Sequence, residues 1–190
     1  MDNIKVDLTI DANGLSCPMP IVKLKKGIAQ LEAGQVVLLE ATDKGSMADI
    51  KAWADSTGHQ YLGSLFEEGV YKHYLRKSSS DEVLEKKHPV TATNEELIKK
   101  LADKEDIQII DVREEAEYVF AHIPGAVSLP IGVLEDKLSS LAKDKEVYVI
   151  CRTGHRSDLA CQKLSQNGFN KVINVIPGMS NWTGDLEGIK

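Results

Sequence analysis

Between residues 77 and 89 the chain reads Lys-Ser-Ser-Ser-Asp-Glu-Val-Leu-Glu-Lys-Lys-His-Pro. A stretch so polar, so poor in apolar side chains and closed by a proline reads as a linker between domains. One core cannot be built across such a tether, so the sequence predicts two domains, residues 1–76 and 90–190, each large enough for a modest core. The acidity is uneven. Residues 1–80 hold 9 Lys+Arg and 10 Asp+Glu, which leaves 14 and 19 for residues 81–190.

Hydrophobic residues make up 42% and charged residues 27% of the chain, ordinary globular usage that excludes a disordered or fibrous class. No apolar run approaches the roughly 18 residues of a membrane span. Asp2, Lys5, Asp7 and Asp11 stand where a signal peptide would be apolar, so a cytoplasmic protein without membrane contact is expected. A net charge of −6 and the lack of a clustered Lys/Arg patch argue against nucleic acid as a partner. The three cysteines, Cys17, Cys151 and Cys161, form neither a disulfide framework nor a zinc-type C-x2-C pair. Chemistry here would use single thiols, with no metal and no cofactor.

In the first part, Lys5–Ile10 alternates as a strand and Pro18–Leu31 carries apolar residues at helical spacing. Gly34 ends that helix and Val36–Glu40 is an apolar strand. Ser46 is expected to cap a second helix with Met47, Ile50 and Trp53 on its inner face. His59–Phe66 and Val70–Leu75 make a hairpin about Glu67-Glu68-Gly69. The order β-α-β-α-β-β predicts a two-layer α/β sandwich, a sheet covered on one face by two helices. In the second part, Thr93-x-x-Glu96 is a capping box, followed by a buried strand at Ile107–Asp111 and a helix through Phe120. The short apolar strand Val147–Ile150, the amphipathic helix Ser157–Leu164 and the strand Val172–Val175 come next. Repeated strand-helix units predict a parallel sheet with helices on both faces and a site at the carboxyl ends of its strands.

Cys151-Arg-Thr-Gly-His-Arg156 joins that apolar strand to that helix. A tight loop there would turn backbone N–H groups inward beneath the positive end of a helix, holding an anion above the sulfur and favouring thiolate. Arg152 and Arg156 are expected to add positive charge, and Gly154 to permit angles closed to other residues. Cys151 is the candidate nucleophile, with Arg152, Thr153, Gly154, His155 and Arg156 as its substrate-binding loop. Asp111 and Arg113 are read as a structural ion pair and His122 as a hydrogen-bonded support. Cys161 is read as core and Trp182 as packing for the C-terminal segment. In the first part, Gly14-Leu-Ser-Cys17-Pro18-Met-Pro20 would place Cys17 at a helix N-cap with Pro18 at the first helical position, where the dipole favours thiolate. Cys17 is the second candidate. His59 is read as structural.

The motifs Asp111-Val-Arg113, His122-Ile-Pro-Gly-Ala126, Cys151–Ser157 and Pro177-Gly-Met-Ser-Asn-Trp182 resemble the rhodanese family of sulfurtransferases across roughly residues 90–183. The resemblance implies that Cys151 takes the outer sulfur of thiosulfate or of a persulfide such as glutathione persulfide, and passes it to a thiol acceptor or a sulfur-carrier protein. Related phosphatases have a loop one residue longer, so Cys-x4-Arg implies sulfur in place of phosphate. Met179 departs from a frequent glycine, and the usual closing proline is missing. Residues 5–76, with Cys17-Pro-Met-Pro20, Ala41-Thr-Asp43, Asp49-Ile50 and Thr57-Gly-His59, resemble the TusA (SirA-like) sulfur carriers. In that family the cysteine of Cys-Pro-x-Pro bears a persulfide. Met19 stands where an acidic residue is common, and Ala54 where some members have a second cysteine. The two resemblances together imply a sulfurtransferase in which Cys151 and Cys17 exchange sulfane sulfur, in a direction the residues leave open. A different class, a sulfur-responsive adaptor that turns over slowly, would use the same thiols as a signal.

Overall fold

The computed structural model describes residues 4–78 and 87–189. Most of the expected linker, residues 79–86, lies outside the described residues. The chain divides into two compact units, Met1–Ser80 and Asp81–Lys190.

The first unit runs β1 (Leu8–Asp11), α1 (Met19–Gln30), β2 (Val36–Ala41), α2 (Ser46–Thr57), β3 (Gln60–Glu67) and β4 (Val70–Arg76). The sheet order is β1-β2-β4-β3; β1 is parallel to β2, and β4 is antiparallel to both of its neighbours. Glu68 and Gly69 take φ of 50° and 85°. Two successive positive φ values give the hairpin a turn whose twist matches that of its strands. Leu24 and Ile28 of α1 and Ile50 and Ala54 of α2 share one buried cluster with Val37, Leu39 and Leu75 of the sheet, so one face carries both helices.

Three local expectations are corrected here. Pro18, not Cys17, is the N-cap of α1, which starts at Met19. Gly45 precedes α2 and Ser46 is its first helical residue, with its hydroxyl turned inward to the His73 ring in place of a backbone cap. Met47 is exposed while Ala54, a turn beyond Ile50, is buried, so the inner face of α2 is rotated from the expected stripe.

The second unit runs β5 (Thr91–Thr93), α3 (Asn94–Ala102), β6 (Ile107–Asp111), α4 (Glu115–Phe120), β7 (Val127–Ser128), β8 (Glu146–Ile150), α5 (His155–Gln166) and β9 (Val172–Ile176). Its five strands are all parallel in the order β5-β9-β8-β6-β7, which makes β8 central. β5 and β7, too short to show a period, are not anticipated from the sequence. Alternate residues of β8 serve opposite faces. Val147 and Val149 pack with Ala160, Cys161 and Leu164 of α5, whereas Tyr148 and Ile150 pack with Leu97 of α3 and Val175 of β9. The capping box forms as expected: the Glu96 N–H donates to Thr93 Oγ1 and the Thr93 N–H to Glu96 Oε2. Among the described residues no helix is long and apolar enough to cross a membrane.

Candidate functional site

β8 ends at Ile150 and α5 begins at His155, two residues earlier than the apolar stripe suggests. The early start follows from Gly154, whose φ of 90° turns the chain abruptly into the helix. Cys151 is thereby held at the carboxyl end of the central strand and is almost fully buried. The Gly154 N–H donates to Cys151 Sγ at 3.1 Å, and Ser157 Oγ lies 3.3 Å from the same sulfur. The Gly154 N–H and the first turn of α5 turn positive dipole ends toward the sulfur.

The far wall is built by the segment after β9. Met179 N–H donates to the Cys151 carbonyl at 2.8 Å and Ser180 N–H to the Arg152 carbonyl at 2.9 Å. Gly178, at φ 85°, passes so close that an added Cβ would strike the Cys151 carbonyl oxygen and come within 3.0 Å of that of Arg152. The buried Asn94 fixes this glycine from α3, donating from Nδ2 to its carbonyl at 3.0 Å and accepting its N–H at 3.3 Å. Asn94, and its hold on the Gly178 of the Pro177-Gly-Met motif, is a support that the sequence does not reveal, since the partnership spans 84 residues.

The expected loop residues divide by role. Arg152, Thr153 and His155 are partly exposed at the rim; Thr153 Oγ1 lies 3.1 Å from His155 Nδ1, and Arg152 has no side-chain hydrogen bond or ion pair among the described residues. Arg156 is different. It is buried and forms a two-armed pair with Glu117 of α4, at 2.7 and 3.0 Å. Its charge is balanced inside the fold, which corrects the expectation that both arginines add positive charge to the loop.

The supporting residues fall where the sequence places them. Arg113 binds both carboxylate oxygens of the buried Asp111. His122 Nδ1 donates to the Tyr118 carbonyl at 2.8 Å. Trp182 packs against the cluster of α3 and its Nε1–H donates to the Asp185 carbonyl. Cys161 is fully buried, and desolvation first, with nearby Asp158 and Cys151 adding to it, raises its thiol far above the ordinary range.

Cys17 sits in the first unit, exposed at the entrance to α1, one position before the N-cap. Asp49, on the first turn of α2, raises the Cys17 pKa, chiefly as an acceptor for the thiol proton; slight desolvation and the charges of Asp49 and Asp43 act the same way. The acidic neighbours thus oppose the helix dipole that the sequence expects to favour thiolate. Met19, Val22 and Met47 are exposed on the same two helices.

Two family models match the chain in succession. The family model described as sulfurtransferase TusA matches residues 8–77, and that of the rhodanese-like domain matches residues 93–185. The chain is 46% identical over 185 residues to "Putative sulfur carrier protein YrkF" of Bacillus subtilis (strain 168), which covers 97% of this chain and all of that protein. It is 44% identical over 73 residues to "Sulfur carrier protein TusA" of Allochromatium vinosum, covering 38% of this chain and 95% of that one. A crystal structure of a rhodanese-like domain protein from Staphylococcus aureus matches with a TM-score of 0.50 at 33% identity, over 53% of this chain and 99% of that one.

Proposed function

The chain belongs to the family in which a TusA domain is followed by a rhodanese-like domain, sulfur-transfer proteins as a class, and from that premise we propose a sulfurtransferase that moves sulfane sulfur through two cysteine persulfides. The observation that carries this reading is the sulfur of Cys151 at the end of a central strand, faced by the Gly154 N–H, Ser157 and the first turn of α5. Such a setting suits a thiolate nucleophile and an anionic donor.

The Cys151 thiolate attacks the outer sulfur of thiosulfate or of a low-molecular-weight persulfide such as glutathione persulfide. The S–S bond of the donor breaks as the new one forms, sulfite or the donor thiolate leaves with the electron pair, and Cys151 becomes a persulfide with no net oxidation. The Cys17 thiolate, or an external thiol, then attacks the terminal sulfur and Cys151 leaves as thiolate. The same steps run in reverse if Cys17 is loaded first. Arg152, with Thr153, His155 and the Gly154 amide, is the group of this loop best placed to meet an anionic donor. A tether shorter than about 15 residues holds the second thiol at an effective concentration near millimolar, so transfer within one chain does not wait for a diffusional search. A cytoplasmic setting, where thiols stay reduced, suits both partners.

The test is the intact mass of the reduced protein after brief exposure to thiosulfate or glutathione persulfide, in wild type, Cys17→Ser and Cys151→Ser. A gain of one sulfur, about 32 Da, on Cys17→Ser and none on Cys151→Ser gives a relay from Cys151 to Cys17. Loading of Cys151→Ser alone reverses the direction. No sulfur on either thiol from any donor rejects catalysis in favour of an adaptor.

A further inference from the structure

The buried side chain behind Cys151 has two unequal demands on one proton. Ser157 Oγ lies 2.6 Å from Asn174 Oδ1 and 3.3 Å from Cys151 Sγ. A hydroxyl has one hydrogen, and a carbonyl-type oxygen at the shorter distance is the better acceptor than sulfur. Asn174 cannot turn over to change this. Its Nδ2 donates to the Gly154 carbonyl at 3.0 Å, which requires the NH2 group on that side and leaves Oδ1 toward Ser157. Its backbone is held too, since its N–H donates to the Val90 carbonyl at 3.0 Å. Both Ser157 and Asn174 are fully buried, so water does not compensate whichever partner is left without the proton.

Resting on the reading that Cys151 is the sulfur-accepting thiol, we propose that Asn174 is a positioning residue for that thiol, acting through Ser157: it holds the serine proton while the sulfur is neutral and yields it while the sulfur is charged. In the thiol state the S–H donates to Ser157 Oγ and the serine donates to Asn174. In the thiolate state the serine turns and donates to Sγ, leaving Asn174 Oδ1 without its partner. After loading, the charge moves to the terminal sulfur, Sγ becomes a weak neutral acceptor, and the serine returns to Asn174. The serine therefore supports charge on Sγ when Cys151 attacks and again when it leaves, and the asparagine restrains the idle thiol. Asn174 also grips the carbonyl of the residue whose N–H donates to the sulfur, so one amide governs both of these hydrogen bonds.

The readout is the rate of alkylation of Cys151 by iodoacetamide against pH, followed on the Cys151 peptide in full-length Cys17→Ser protein. It reports thiolate and needs no sulfur transfer, so its outcome is separate from the loading experiment above. Asn174→Leu frees the serine proton for the sulfur. The half-point of the profile then moves to lower pH, and the rate on the acid limb rises about tenfold, the worth of one hydrogen bond to a charged acceptor. Asn174→Ala carries the same expectation and does not depend on fitting a larger side chain. With Ser157→Ala already present, neither change moves the half-point. Arg152, His155, the Arg156–Glu117 pair, Asp158, Cys161 and the Asp111–Arg113 pair of β6 are the same in every variant and cancel in the comparison. A role limited to scaffolding slackens the Gly154 loop, and this lowers the plateau or moves the half-point upward. An unchanged or raised half-point, or a lowered one that persists without Ser157, overturns the proposal.

Discussion

Arg156 and Glu117 meet in the interior of the second unit, guanidinium Nη1 and Nη2 against carboxylate Oε2 and Oε1 at 2.7 and 3.0 Å, with both side chains buried. The pair ties the first turn of α5, and with it the Cys151 loop, to α4. Removing Glu117 takes both of its short hydrogen bonds away from a buried guanidinium. Glu117→Ala is expected to lower the unfolding free energy by about 3 kcal/mol in urea titration. Replacing both, Glu117→Leu with Arg156→Met, recovers most of that loss, because the cost lies in the unbalanced charge. A double variant as unstable as the single one would rule out this account.

Gly178 makes a second, steric prediction. A methyl group there meets the carbonyl oxygens of Cys151 and Arg152, both backbone, in a conformation that already disfavours side chains. Gly178→Ala should leave the helical content of the protein close to wild type and slow sulfur loading of Cys151 about a hundredfold, the usual result of misplacing a reacting group by about 1 Å. Rapid-quench mass measurement with thiosulfate checks it; wild-type loading in this variant would show that the close approach is unimportant.

Asp49 governs the other thiol. Its hydrogen bond and charge raise the Cys17 pKa. Asp49→Asn removes the charge while keeping the shape, so alkylation of Cys17 at neutral pH should be faster than in wild type, and the advantage should shrink as pH rises and both proteins become thiolate. Slower or equal alkylation would locate the control of Cys17 elsewhere.

His73 supplies a pH signature for the first unit. It is fully buried between Ser46 Oγ at 2.9 Å and Tyr61 Oη at 3.0 Å, and desolvation lowers its pKa from 6.5 to about 4. The unfolded state binds a proton that the folded state refuses in this interval. Stability from this group is thus complete above pH 6.5 and is lost as pH falls toward 4, by about 3 kcal/mol. The denaturation free energy of His73→Gln should lack one proton's worth of slope in that window. A slope identical to wild type would mean that the ring titrates normally.

What the sequence made legible was local or periodic. Thr93 and Glu96 are three residues apart, and their capping box can be read without knowing the fold. The apolar run Val147–Ile150 ending in Cys151 marks a central strand because both faces of such a strand are buried. The rest depends on partners far along the chain. Ser46 looks like a helix cap until His73, 27 residues away, takes its hydroxyl. Arg156 looks like a free cation until Glu117, 39 residues away, neutralises it. Asn174 stands in an apolar strand with no local sign that it addresses Ser157 and Gly154. In each case the backbone plan follows from the pattern, while the identity of the polar partner follows only from the packing.

Three of the backbone oxygens around Cys151 are already committed. Those of Cys151 and Arg152 are taken by Met179 and Ser180, and that of Gly154 by Asn174 and the Asp158 N–H. Polypeptide is electrically even-handed, with one negative end for every positive one, and a bend tight enough to gather amides ordinarily brings carbonyls along. Here these three negative ends are anchored by other parts of the unit. The bend is thereby rectified in part: three of its oxygens are held by other groups while its Gly154 amide faces the sulfur, and it obtains this bias from neutral groups, so the bias does not fade when the pH changes.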